Sequence, residues 1–281
     1  MILRKRYSSV LFAALFMAAC ENGPKNDTTG DSGTSAPSGP DMNVPAVMGY
    51  NIVEQYPHDT KAFTEGLEYI DGVLYESVGR YGRSDIRKVD AVTGKVLQQT
   101  KMEDRYFGEG LTVMNGKIYQ LTYREGKGFV YDLATMKKVS TFDFPTQEGW
   151  GMTNNGTHLI FSDGSNKLYF MDPASMKVVK QLSVTDEQGP VNRINELELI
   201  NGYIYANQWQ ADLILKIDTT TGRVTARADL STIRMQGGIP PNANDEEAPE
   251  TMNGIAYDAK GNRIFVTGKN WPKMFVVKLD N

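Results

Sequence analysis

The chain has 281 residues with 30 Lys and Arg against 34 Asp and Glu, a formal net charge of −4, two His and one Cys. That balance argues against a nucleic-acid surface and against electrostatic attraction to a membrane, and a lone Cys cannot form an internal disulfide.

The N-terminus reads as an export signal. Arg4, Lys5 and Arg6 precede an apolar run from Val10 to Ala19 that is too short to span a bilayer stably. The run ends in Met17-Ala18-Ala19-Cys20, close to a bacterial lipobox with Met where Leu is usual. Residues 1–19 are thus expected to be a lipoprotein signal, cleaved before Cys20, whose thiol and amine take up lipid. The alternative is an ordinary signal peptide with a cysteine nearby. The product would be an exported cell-envelope protein, periplasmic or membrane-anchored through Cys20 alone. Without the three basic residues the balance is 27 against 34, a net −7. Residues 20–45 are Gly, Ser, Thr, Pro, Asn and Asp with almost no large apolar group, the composition of a flexible tether. Residues 46–281, about 235 in number, suffice for one domain and are expected to be monomeric.

That domain carries a five-fold repeat. Its members are Glu65-Gly66-Leu67-Glu68-Tyr69, Glu109-Gly110-Leu111-Thr112-Val113, Trp150-Gly151-Met152-Thr153, Asn195-Glu196-Leu197-Glu198-Leu199 and Asn253-Gly254-Ile255-Ala256-Tyr257. Each runs into a Gly-containing turn and then an alternating apolar strand. The leading residues are 44, 41, 45 and 58 apart. A period in the forties with several short strands marks a β-propeller blade, all-β and here five-bladed. The first strand of each blade lines the central channel, so Glu65, Glu109, Trp150, Asn195 and Asn253 should converge at one end of it.

A second pattern completes each unit: a strand, an Asp-led tight turn and another strand, as in Ile86 to Asp90 with Thr93 to Val96. The fifth unit stops after the strand Met274 to Leu279. The missing outer strand is available at Tyr50 to Tyr56, and its pairing with the last blade would close the ring and cover a sheet edge. The surplus in the longest spacing lies in Ser231 to Pro249, either a lid over the channel mouth or a solvated loop.

The two histidines are His58 and His158, the latter in the Asn155-Gly156-Thr157-His158 turn and far in register from the leading positions, and with Cys20 lipidated a zinc site of His and Cys is excluded. No Ser-His-Asp arrangement or phosphate loop stands out. Glu109 lies between glycines beside Phe107, where desolvation would raise its pKa toward neutrality, as a proton shuttle requires. The plain alternative is a structural Glu bonding backbone amides at a blade junction. Trp150 at a channel position would close the channel or hold a ligand, whereas Trp209 has core packing as its ordinary role. Lys269 and Asn207 end equivalent strands of neighbouring blades, where a solvated lysine is the plain reading.

Taken in order, Ala62-Phe63-Thr64-Glu65-Gly66-Leu67, Tyr106 to Leu111, Glu148 to Gly151, Ile194 to Glu198, Ala206 to Trp209, Asn253 to Tyr257 and Val266 to Pro272 resemble the bacterial and plant type of glutaminyl-peptide cyclotransferase, a five-bladed propeller. The resemblance runs from about Val47 to Leu279. It implies conversion of N-terminal Gln of peptides or proteins to pyroglutamate, with release of ammonia and no cofactor. It implies Glu109 as acid and base, Asn195 and Lys269 on the carboxamide oxygen, and Phe63, Phe107, Trp150 and Trp209 around the substrate. The family pattern has Gln where Glu65 stands and commonly Trp where Tyr123 stands. Glu65 would then either hold the substrate amine more strongly or couple to Glu109 and raise its pKa. A structural calcium on channel carbonyls would leave no mark in the sequence. Two rival readings are a calcium-dependent lactonase-type propeller, which usually has six blades and a channel Asp, and a non-catalytic peptide-binding propeller.

Overall fold

The computed structural model describes residues 44–239 and 251–280, and there the chain is nearly all strand. The expected signal, Cys20 and nearly all of the tether lie outside those residues, as does the stretch 240–249. Among the described residues no helix is long and apolar enough to cross a membrane.

Five antiparallel sheets form the five blades of a propeller. Their innermost strands are Thr64–Ile70, Gly108–Met114, Met152–Asn154, Ile194–Ile200 and Met252–Asp258. The outer turns repeat one device. Asp90, Asp132, Asp172 and Asp218 each accept bonds from the backbone N–H and hydroxyl of a Thr or Ser three residues on. This is the local competition for backbone donors that makes Asp a turn former. Leu, Ile, Val and Phe from facing sheets fill the space between blades, as where Ile160, Leu168 and Leu182 of the third meet Leu197, Ile204 and Leu215 of the fourth.

The ring closes as expected. Tyr50–Pro57 pairs antiparallel with Lys273–Leu279, from Tyr50 opposite Leu279 to Pro57 opposite Lys273. The sequence did not suggest one further strand, Ala46–Met48, which runs parallel to Val224–Asp229 at the outer edge of the fourth blade. The N-terminal segment therefore binds two blades. At the seam His58 is buried, with Nδ1 2.7 Å from the Trp271 carbonyl oxygen and Nε2 2.9 Å from Glu76 Oε1. Burial pulls the imidazole pKa down, but the Glu76 carboxylate outweighs it and lifts His58 above its ordinary value. Glu76 is held below the usual range, burial being outweighed by His58.

The described part of the stretch expected as a lid or a solvated loop is anchored at two points and otherwise largely exposed. Ser231–Ile239 contains a short helix, Ile233–Gln236, and Ile233 and Ile239 are buried between the fourth and fifth blades.

In four blades the ladder between the first two strands slips at the leading position. The shifts fall between Thr64 and Gly66, Gly108 and Leu111, Ile194 and Leu197, and Met252 and Ile255. A β-bulge places an extra residue on one strand and re-aims its side chain. Glu65, Glu109, Asn195 and Asn253 all occupy such bulges. In the third blade Trp150 precedes the strand, held by its N–H to the Ser162 carbonyl. The glycines that follow permit close packing of the inner strands. A Cβ at Gly110 would lie 2.4 Å from Met152 N, and one at Gly151 2.0 Å from Asn195 O.

Candidate active site

The bulged residues open into a cavity of about 440 Å³ at one end of the ring. Its walls include nine of the residues that the sequence offers: Phe63, Glu65, Phe107, Glu109, Tyr123, Trp150, Asn195, Trp209 and Lys269. Four more belong to it: Arg80, Arg124, Glu148 and Thr251. Asn253 does not line the cavity but donates from behind it to Glu65, and Asn207 Oδ1 accepts the Gly254 N–H at 2.9 Å while its Nδ2 has no partner among the described residues.

Two carboxyls and an ammonium form the charged centre. Glu65, Glu109 and Lys269 are 2 %, 6 % and 6 % exposed. Lys269 Nζ donates to Glu65 Oε1 at 2.8 Å and lies 2.7 Å from Oε2. Asn253 Nδ2 donates to Glu65 Oε2 at 3.3 Å. Glu109 is hydrogen-bonded to Glu65, and burial followed by the Glu65 charge holds its carboxyl well above the usual range. Burial raises Glu65 too, against the opposing pull of Lys269 and the bond from Glu109. Two adjacent carboxyls cannot both ionise cheaply in a dry site, and the one beside the ammonium keeps the charge. The shared proton therefore sits on Glu109. Glu65 has Lys269 against both of its oxygens and Asn253 against one of them.

Asn195 is 3 % exposed, and its side-chain oxygen has no partner among the described residues. A buried amide without a partner is costly unless a ligand supplies one. Lys269 likewise keeps one of its three donors after serving both oxygens of Glu65.

Aromatic rings wall the rest. Trp150 and Trp209 meet edge to face at 5.6 Å, and Phe107 packs against Phe63 at 6.2 Å, Tyr81 at 5.4 Å and Tyr123 at 5.7 Å. Glu148 orients two of the walls. Its Oε2 accepts the Trp150 Nε1–H at 3.0 Å and its Oε1 the Arg124 Nε–H at 2.9 Å. Arg124 in turn lies 4.4 Å over the Tyr123 ring and donates to its hydroxyl at 2.8 Å. Gly79 makes room. A Cβ there would stand 2.3 Å from Phe107 Cε1 and 2.9 Å from Glu65 Cγ.

The acids that bond backbone amides between blades are others. Glu196 accepts Leu67 N–H at 3.1 Å and Ile255 N–H at 2.8 Å, reaching the first and fifth blades from the fourth. Glu68 accepts Val113 N–H at 2.7 Å and Glu198 accepts Tyr257 N–H at 2.9 Å. The structural duty considered for Glu109 falls to these three. Among the described residues no group of three or more His, Cys, Asp or Glu is arranged to hold a metal ion.

The chain is similar to known proteins. A family described as glutamine cyclotransferase matches residues 27–279. A glutaminyl-peptide cyclotransferase of Arabidopsis thaliana is 41 % identical over 229 residues, covering 81 % of this chain and 70 % of the relative. The crystal structure of Myxococcus xanthus glutaminyl cyclase superposes with a TM-score of 0.76 at 33 % identity, over 84 % of this chain and 98 % of that one. By family match, sequence identity and fold together, this chain belongs to the glutamine cyclotransferase family.

Proposed function

We propose that the chain converts the N-terminal Gln of peptides or proteins into pyroglutamate with release of ammonia. The observation that carries this reading is a buried Glu109 set beside Glu65 and Lys269, facing an aromatic cavity that also holds an Asn195 side-chain oxygen with no partner among the described residues.

In this reading the neutral α-amine attacks the δ-carbon of its own side chain. A C–N bond forms as the carbonyl π pair moves to oxygen, and the third donor of Lys269 faces that growing charge. Asn195 Oδ1 accepts an N–H of the carboxamide. Glu109 gives its proton to the departing nitrogen and receives the one shed by the amine. The carbonyl re-forms, ammonia leaves, and Glu109 ends as it began. Ring closure is intramolecular, so the rings that fold the side chain back on the amine supply much of the rate. No external nucleophile and no cofactor is needed.

The test is ammonia release from a Gln dipeptide amide by the mature chain, with and without EDTA, beside Glu109→Gln. Release that survives EDTA and collapses in the variant supports the assignment. A folded wild type that releases none refutes it. We further infer from the sequence that the protein is an exported monomer anchored through Cys20, which mass spectrometry of the mature N-terminus and sedimentation would check.

A further inference from the structure

A second, smaller cleft of about 90 Å³ adjoins the catalytic cavity, lined by Lys61, Phe63, Gly79, Arg80, Arg83 and Asn270. Phe63 and Arg80 line both spaces, and the Arg80 guanidinium lies 4.1 Å over the Phe63 ring. A chain whose first residue sits against Glu109 thus meets this cleft beside the wall of its own pocket.

The cleft is basic, and among the described residues the nearby carboxylates are already committed. Arg87 holds Asp59 and Asp85 at 2.7 Å each, Lys269 holds Glu65, and Lys101 holds Asp104 at 2.7 Å. Glu125 accepts the Tyr81 hydroxyl, and Glu148 in the cavity wall is taken by Arg124 and Trp150. Asn270 Nδ2 donates to Thr60 O at 2.8 Å. Lys61 and Arg83 are exposed and form no ion pair among the described residues. Lys61 and Arg83 thus stand beside Arg80 at a cleft with no acid among the described residues of its lining, on the first-blade side of the mouth.

We propose that this cleft is a subsite for a carboxylate carried by the substrate one or two residues after the Gln, so that acidic peptides are preferred. The proposal rests on the cyclase reading and adds to it a substrate class. An extended residue advances about 3.3–3.6 Å, so one or two steps from the pocket bring a side chain to the neighbouring cleft. The carboxylate can belong to an Asp or Glu side chain or to the C-terminus of a very short peptide.

The mature chain would be assayed for kcat/KM by ammonia release on Gln-Ala-Ala-amide, Gln-Glu-Ala-amide, Gln-Ala-Glu-amide, Gln-Ala-Lys-amide and the free acid Gln-Ala-Ala. The same series would be run on Lys61→Glu/Arg83→Glu. One or two exposed charge pairs predict acidic peptides favoured over the Lys peptide by roughly threefold to tenfold at low salt. The preference should contract at about 0.5 M salt, where charges are screened within a few ångströms. The double variant should erase or invert the ratio. Preference among the amides assigns the cleft to side chains, and preference for the free acid alone assigns it to the terminus. Equal turnover of all peptides, or a ratio unchanged in a variant of wild-type melting temperature, overturns the subsite. No ammonia from any peptide overturns the reaction assignment and the subsite with it.

Discussion

Glu65→Gln separates the two carboxyls at the centre of the site while keeping the side chain's shape. Glu109 would lose the like charge that helps to lift it and keep its burial and the Lys269 ammonium. A charge at contact distance moves a carboxyl by roughly 1–3 pKa units, or about 1.4–4 kcal/mol between the two protonation states. In the proposed cycle Glu109 must enter protonated, so its ionisation in the peptide complex sets the alkaline limb of kcat. The amine must be neutral and, with an ordinary pKa of about 7.7–8.0, sets the acid limb of kcat/KM. The alkaline limb should therefore move down by about 1–3 pH units in Glu65→Gln, with the acid limb of kcat/KM in place. Ammonia release from Gln-Ala-amide between about pH 5 and pH 10 reads both limbs. Lys269, left buried with a neutral partner, should cost up to about 3–5 kcal/mol of stability, so the melting temperature is recorded beside the rates. An alkaline limb that stays put in a folded Glu65→Gln protein refutes the shared proton.

Other outcomes follow from the same geometry. Glu109→Gln should lower kcat by roughly 10²- to 10⁴-fold with little loss of thermal stability, since it removes a raised carboxyl and not a staple; a loss below tenfold would remove Glu109 from the proton path. Gly79→Ala should drive Phe107 and Glu65 apart and lower kcat/KM for Gln peptides, read by the same ammonia assay, and unaltered kinetics would contradict the tight contact at 2.3 Å. Deleting residues 46–56 removes strands from two blades and should leave no cooperative unfolding transition by circular dichroism, whereas a monomer of unchanged melting temperature would exclude the closure. The His58 half of the seam pair is fully stabilising below pH about 6.5 and fades as pH rises through the raised imidazole pKa, while the Glu76 half fades only as pH falls through its lowered one. Melting temperature should thus drop more steeply above about pH 6.5 in the wild type than in His58→Gln, and parallel curves would remove the seam pair as the cause.

The leading positions were legible because repetition exposes them. Glu65, Glu109, Asn195 and Asn253 share a register, and the register marks a bulge at the head of each inner strand. Tyr50 to Tyr56 was legible as the missing edge because a four-stranded unit short of one strand has an unpaired ladder. Glu148, Arg124 and Arg80 were not singled out as wall residues, since they lie in connections that obey no period and act through contacts between blades. Gly79 was invisible for a different reason: its role is an absence of volume. Glu68 and Glu198 offered a signal that went unused, both standing three residues after a leading position where a short acid can reach the next blade's amide. Ala46–Met48 is too short for any alternation to announce it.

The closure has one more consequence. Asp280 N–H donates to Gly49 O at 2.9 Å, so the two ends of the ring meet side by side. The pocket draws its residues from every blade, and none of its chemistry depends on which blade is translated first. A short linker joining residue 280 to residue 49, with new ends opened at the exposed turn of Asn155 and Gly156, would give a circularly permuted chain with the same pocket. Cyclisation belongs to the circle and not to the order in which it is spelled.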